Sequence, residues 1–123
     1  MRRKITKRAK RSKFHNVRTE VNGIVFASKK EAARWEFLLE QQARGIICDL
    51  RRQTRWPLLV NKIKIGAYVD DFNYTVVQNN TFAVEDVKSP RTCKLPMYRR
   101  SKKHMLAQYS INVREVFDPY EPV

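Results

Sequence analysis

Tyr68-Val69-Asp70-Asp71-Phe72 and Val84-Glu85-Asp86-Val87-Lys88 decide how this chain is read. Both are rich in β-forming residues, both end a face on an acid, and Asn79-Asn80 makes a turn between them. A glutamate on a predicted helix, Glu31, precedes both. Three carboxylates and a lysine in the order Glu…Asp…Asp-x-Lys suit a metal-dependent phosphodiesterase. Carboxylate oxygens hold a hard divalent cation. Cation and lysine then activate water and offset charge developing on the phosphate.

Working outward, Ile63–Val77 reads as one long strand and Phe82–Lys88 as the next, broken by Ser89-Pro90. Gln53–Val60 reads as a strand in which Pro57 marks an edge or a bulge. Ile46–Leu50 leads into it as an extended region. Upstream, Asn22-Gly23 between β-formers predicts a hairpin over Thr19–Phe26. Ser28 and Glu31 form a capping box for a helix over Lys29–Ala43, which stops near Gly45 and buries Ala32, Trp35, Leu38 and Leu39. Downstream, Pro96 opens a second helix with Tyr98, Lys102, Met105 and Tyr109 on one face. Ile111–Val116 is a last strand, and Asp118–Pro122 a frayed tail. The order is helix, three strands, helix, strand behind a small hairpin. It predicts an α/β domain at 14–123, a mixed sheet flanked by helices.

Strand side chains alternate faces. Phe82, Val84, Asp86 and Lys88 share one face, and Glu85 points away with Ala83 and Val87. Asp71 goes with Ile63, Ile65 and Val69, and Asp70 with Tyr68, Phe72 and Tyr74. Parity does not choose between the two aspartates, although an acid ending an aliphatic face makes the better buried ligand. Each feature also has a plainer reading: Glu31 as a cap, Asp71 as a strand-end acid, Asp86-x-Lys88 as an ion pair. Their joint order on suitable elements favours chemistry.

The net charge is +14 over 123 residues, with a pI near 10.2, which favours a polyanionic partner. Residues 1–19 carry nine of those charges without an acid: Arg2, Arg3, Lys4, Lys7, Arg8, Lys10, Arg11, Lys13 and Arg18. With little apolar content, residues 1–13 are expected to form a flexible basic arm. Arg91, Lys94, Arg99, Arg100, Lys102, Lys103 and His104 make a second basic run on the approach to, and along, the second helix. Phosphate contact is its functional reading and a solvated helix face the plain one. Cys48 and Cys93 have no metal-type spacing and read as reduced thiols of a cytoplasmic protein. No apolar run approaches the length needed to span a bilayer.

The order of acids and elements resembles the PD-(D/E)XK, restriction-endonuclease-like superfamily, whose core is helix-strand-strand-strand-helix-strand. A closer resemblance is to a family of small, uncharacterised phage proteins placed in that superfamily. The matching stretches are Val21–Phe26, Ser28–Ala32, Gly45–Leu50, Tyr68–Tyr74 and Val84–Ser89. The resemblance implies a restriction-endonuclease-like αβββαβ core with Glu31 as the helix acid, Asp71 as the strand Asp, and Asp86 and Lys88 as the (D/E)-x-K pair. Asp71, Asp86 and Glu31 would hold Mg²⁺ or Mn²⁺, with the Val87 carbonyl as an extra ligand. Lys88 would act on the attacking water, giving a 5′-phosphate and a 3′-hydroxyl. Gln53 resembles a recurrent position in related nicking and transposition endonucleases. Two features depart from the pattern: no proline precedes Asp71, and Ser89 stands where glycine is frequent.

The leading expectation is therefore a phage-type DNA endonuclease, working as a homodimer in the host cytoplasm with no membrane partner. Branched, recombination-intermediate DNA is its expected substrate, because small basic nucleases of this fold include junction resolvases. One alternative is a non-catalytic nucleic-acid-binding protein on a nuclease fold. Another is a basic RNA-binding protein whose acids are simple ion pairs.

Overall fold

A computed structural model describes residues 17–123. The arm expected at 1–13, with Arg2, Arg3, Lys4, Lys7, Arg8, Lys10, Arg11 and Lys13, lies outside the described residues. In chain order the elements are β1 (Thr19–Val21), β2 (Ile24–Phe26), α1 (Lys29–Ala43), β3 (Ile47–Arg52), β4 (Arg55–Val60) and β5 (Ile63–Val69). They continue with β6 (Phe72–Val76), β7 (Thr81–Val87), a 3-10 turn (Thr92–Lys94), α2 (Pro96–Tyr109) and β8 (Arg114–Val116).

Local chemistry explains most of these boundaries. Asn22 and Gly23 both take positive φ, 50° and 80°, as a two-residue hairpin turn between β1 and β2 requires. Ser28 caps α1, its Oγ accepting from Glu31 N at 3.1 Å. At the other end Gly45 takes φ 74° and Ile46 N–H reaches back to the Gln41 carbonyl at 3.0 Å, so the helix stops there.

The central sheet runs β3-β6-β7-β8. The β3–β6 and β6–β7 pairs are antiparallel, whereas β8 joins β7 in parallel after the crossover through α2. A second hairpin, β4–β5, forms its own two-stranded sheet. The structure is thus mixed α/β with two helices, a mixed four-stranded sheet and two hairpins. One cluster of buried residues, Phe26, Ala32, Leu38, Ile47, Phe72 and Tyr74, packs around α1. The other, Leu58, Tyr68, Val84, Tyr98, Met105 and Val113, joins α2 to the β4–β5 hairpin. No helix of the described residues is long and apolar enough to cross a membrane.

Three expectations are corrected. First, Ile63–Val77 is two strands. The chain breaks at Asp70-Asp71, where the buried Asp70 carboxylate collects bonds from Thr54 N, Trp56 Nε1 and Asn73 Nδ2, each at 2.9 Å. Second, the first of the three main-sheet strands is β3, which the sequence showed only as an extended lead-in. Gln53–Val60 supplies the outlying β4 instead, with Pro57 on this two-stranded edge. The α-β-β-β-α-β order survives in the main sheet because β4–β5 is an insertion between β3 and β6. Third, the tail is not frayed. Arg34 on α1 donates to the carbonyls of Pro119 and Glu121, and Val123 packs on the core around α1.

Candidate active site

α1 begins beside the end of β7, and the 3-10 turn with the start of α2 closes the third side. Between them lies a cleft of about 510 Å³ lined by Lys30, Glu31, Asp71, Asp86, Val87, Lys88, Ser89, Thr92 and Leu95, among others. All four residues expected to carry chemistry, Glu31, Asp71, Asp86 and Lys88, face this one cavity.

Each is held from several directions. Asp71 is anchored through its main chain: its N–H bonds the Glu85 carbonyl at 3.2 Å, and its carbonyl accepts from Gln53 N at 3.1 Å. Gln53 takes φ 52° at the end of β3, so its backbone, rather than a cleft-lining side chain, supports Asp71. The Asp71 carboxylate accepts from Val87 N at 2.7 Å. Asp86 is buried, with Lys88 Nζ 2.9 Å from Oδ1 and the Tyr68 hydroxyl 2.5 Å from Oδ2. The Lys88 ammonium also sits 4.0 Å from the centroid of the Tyr98 ring, a cation–π contact. Lys30 Nζ donates to the Lys88 carbonyl at 3.1 Å, placing a second cation at the rim.

The electrostatics follow from burial and like charge. Burial pushes the Asp71 carboxyl well above the usual range, and the nearby Asp86 and Glu31 charges push it further. Glu31 is raised mainly by burial, with Asp86 adding and Arg52 and Lys88 opposing. Burial and the Asp86 charge raise the Tyr68 hydroxyl, which keeps it a donor. Hence three carboxyl groups share a confined space with protein cations that only partly offset them.

The neighbouring Asp70 takes no part in the cleft lining. The choice that parity left open is resolved by geometry: Asp71 enters the cavity and Asp70 braces the hairpin. Four contributors were not singled out from sequence: Lys30, Arg52, and Tyr68 and Tyr98 as supports. Lys30 had a signal in its place beside Glu31. Tyr68 and Tyr98 had none, because they reach the site from the β4–β5 hairpin and from α2, elements whose place beside it depends on the fold.

Of the second basic run, Arg91, Lys94, Arg99, Arg100 and Lys103 are exposed. Lys102 is partly buried and pairs with Glu115 at 2.8 Å. His104 Nε2 lies 2.9 Å from the Leu59 carbonyl and so supports the hairpin. Trp35 packs on Phe26 and Phe72, as its place in the buried stripe implied, and Trp56 packs on Phe82 and Tyr109.

No curated protein matches this chain. No solved structure matches it either. A family model described as a protein of unknown function, DUF1064, matches residues 11–116, which span the hairpins, the sheet and every cleft residue named above. The chain belongs to the DUF1064 family of proteins of unknown function.

Proposed function

We propose that this chain is a divalent-metal-dependent DNA endonuclease of the PD-(D/E)XK type. One observation carries the proposal: Glu31, Asp71, Asp86 and Lys88, far apart in sequence, line a single cavity. The +14 net charge supports a nucleic acid as the substrate. Branched DNA is the form we favour, by resemblance.

The donor set fits a hard cation by type, being all carboxylate oxygen. Among the described residues no three His, Cys, Asp or Glu side chains already stand in ligating geometry. Asp71 and Asp86 are instead engaged by Val87 N–H, Tyr68 and Lys88. Carboxylate oxygens have further lone pairs, so these bonds leave capacity for a ligand. Held by Asp71, Asp86 and Glu31, Mg²⁺ or Mn²⁺ would polarise a phosphate oxygen and acidify water. Tyr68 fixes the Asp86 carboxylate. Lys88 orients the attacking water and offers its ammonium to charge developing on the phosphate. Lys30 and the exposed Arg91, Lys94, Arg99, Arg100 and Lys103 meet flanking phosphates.

The test is incubation with linear, single-stranded, flapped and four-way DNA in Mg²⁺, Mn²⁺ or EDTA. We expect cleavage with a metal only. Asp86→Asn should abolish it while DNA affinity holds or rises, since a negative charge leaves the phosphate path. Lys88→Ala should cost about two to four orders of magnitude in rate. A folded Asp86→Asn protein cutting at the wild-type rate overturns the assignment. A second reading, nucleic-acid binding without cleavage, draws support from the closed Lys88–Asp86 ion pair. Wild-type protein inert on every substrate and metal selects it.

A further inference from the structure

The β4–β5 hairpin combines positive charge with apolar side chains left in water. Between Asp49 and Asp70 the sequence has no acid and five basic residues, of which Arg55, Lys62 and Lys64 belong to the hairpin. At the tip Val60 pairs with Ile63 across a two-residue turn, Asn61-Lys62, whose φ values are both positive, 49° and 68°. Such a turn favours glycine at its second position, and here a lysine takes it. Val60 is 49% exposed, Ile63 68% and Ile65 59%. Lys62 and Lys64 are exposed among them. Ile65 is the extra residue of a bulge, where the register shifts between Leu58 and Leu59, so β5 bends just behind the tip.

Behind the tip the hairpin is braced. Gln108 on α2 bonds Leu59 N at 2.8 Å and the Pro57 carbonyl at 3.1 Å, and His104 meets the Leu59 carbonyl at 2.9 Å. At the base the buried Asp70 carboxylate accepts from Thr54 and Trp56. Tyr68, paired with Trp56, bonds Asp86 in the cleft. From Tyr68 to Ile63 the strand covers about 15 Å, at ~3.3 Å per residue less the bulge. That span equals about four or five steps along one DNA strand, at ~3.4 Å each.

The lysines suit phosphates of any DNA form. Aliphatic side chains gain nothing from phosphates. They gain from covering base faces, which stand open only where stacking and pairing are interrupted. A second copy of this chain would bring the same positive charges against the tip, whereas DNA brings the opposite charge. We propose, resting on the reading of DNA as the substrate, that this tip is a wedge seated at the branch point of branched DNA. Val60 and Ile63 cover the base faces exposed there, and Lys62 and Lys64 hold the flanking phosphates. Because the hairpin is already ordered against α2 and the cleft, little ordering opposes the insertion. The cleft then meets a phosphate about four or five nucleotides from the branch.

The test is binding of the full chain to four-way, flapped and linear duplex DNA of equal length in EDTA, read by fluorescence anisotropy. Wild type should prefer the branched forms by about tenfold or more. Val60→Ser/Ile63→Ser keeps every charge and should lose most of that preference with an unchanged circular dichroism spectrum. Lys62→Gln/Lys64→Gln should make the plot of log affinity against log salt shallower on branched DNA, by about one and a half to two. One measurement needs no variant: a fluorescent aminopurine in the pair at the branch point should brighten when wild type binds, and one in a distant pair should not. Absent preference in wild type, full preference in the serine variant, or a branch-point probe that stays dark each overturns the wedge. So does a wild-type dimer, seen by sedimentation without DNA, that the serine variant loses, which would assign the patch to self-association. Wild type that brightens the probe yet cuts nothing with any metal upholds the wedge and removes cleavage. Metal-dependent cutting by a serine variant of full branch preference removes the wedge and keeps the nuclease.

Discussion

Asp70 and Asp71 are adjacent, both acidic and both raised in pKa by burial, yet an amide in place of each would meet opposite surroundings. Asp70 faces three donors, from Thr54, Trp56 and Asn73. An asparagine there turns an NH₂ against a donor whichever way it is set. Asp70→Asn should therefore cost about 1–3 kcal/mol in urea unfolding. Asp71 faces Val87 N–H on one oxygen and the Asp86 and Glu31 carboxyls around it. An asparagine keeps the acceptor and removes the repelled charge, so Asp71→Asn should raise the thermal midpoint in EDTA at neutral pH by a few degrees. The pH dependence follows from linkage. With a pKa above its unfolded value, folded Asp71 keeps its proton over a pH range where the unfolded chain has lost it. Its stabilising contribution is complete below the unfolded value and is lost as pH rises through the folded one. Metal-free wild type should lose stability over that rise, and Asp71→Asn should lose less. Equal slopes would show that Asp71 is not the strained group. Sequence alternation could not separate these two aspartates. The distinction lies in Thr54 and Trp56, more than a dozen residues away.

The elements were legible where their signals are local. The Asn22-Gly23 turn, the Ser28 cap and the Gly45 stop mark α1 and the first hairpin, and Asp86-x-Lys88 sits at the end of β7, with Lys88 the residue just past it. What was not legible depends on distant partners. β3 hides because Asp49 takes φ 54° within it and the register against β6 shifts between Cys48 and Arg51. The β5–β6 break hides because the apolar pattern runs through it. α1 buries Glu31, Arg34, Leu38 and Gln41, a stripe at helical spacing that is mostly polar and therefore invisible to hydrophobic periodicity. Arg34 is its centre. Fully buried, it holds Glu85 on β7 with two bonds, at 2.8 and 2.6 Å, and reaches the carbonyls of Pro119 and Glu121. Burial works against the Arg34 charge, but the Glu85 carboxylate more than restores it. Tyr74 also donates to Glu85. Arg34→Ala leaves the fully buried Glu85 carboxylate with only the partly exposed Arg114, 3.9 Å away, and the cost should be about 3 kcal/mol in urea unfolding. Glu85→Gln keeps one acceptor but turns an NH₂ against an Arg34 N–H whichever way it is set and leaves the buried guanidinium without its counter-charge, so it should destabilise as well. Limited proteolysis should then cut Arg34→Ala first after Phe117 or Tyr120. A loss under about 1 kcal/mol would show that this network does not join helix, sheet and tail.

Over the whole molecule, charge and chemistry are held in different places. The four cleft residues lie between positions 31 and 88, whereas residues 1–12 carry seven basic side chains and no acid, half of the net +14. A segment with that composition gains affinity by displacing counterions from phosphate, a contribution that weakens steeply with salt. Deleting residues 1–12 should weaken DNA binding and make the plot of log affinity against log salt shallower. If all seven charges meet phosphates on duplex DNA, the slope falls in magnitude by about six, at roughly 0.9 per contact. Cleavage at saturating enzyme and low salt should survive, because no cleft residue is removed. Competition between DNA and RNA, run on both proteins, separates a segment that reads only phosphate from one that prefers either polymer. A slope left unchanged by the deletion would mean that these charges do not touch the nucleic acid. Binding would then rest on Lys30 and the exposed basic side chains along Arg91–Lys103, next to the carboxylates, where charge reversal at Arg99 or Lys103 should flatten the slope instead.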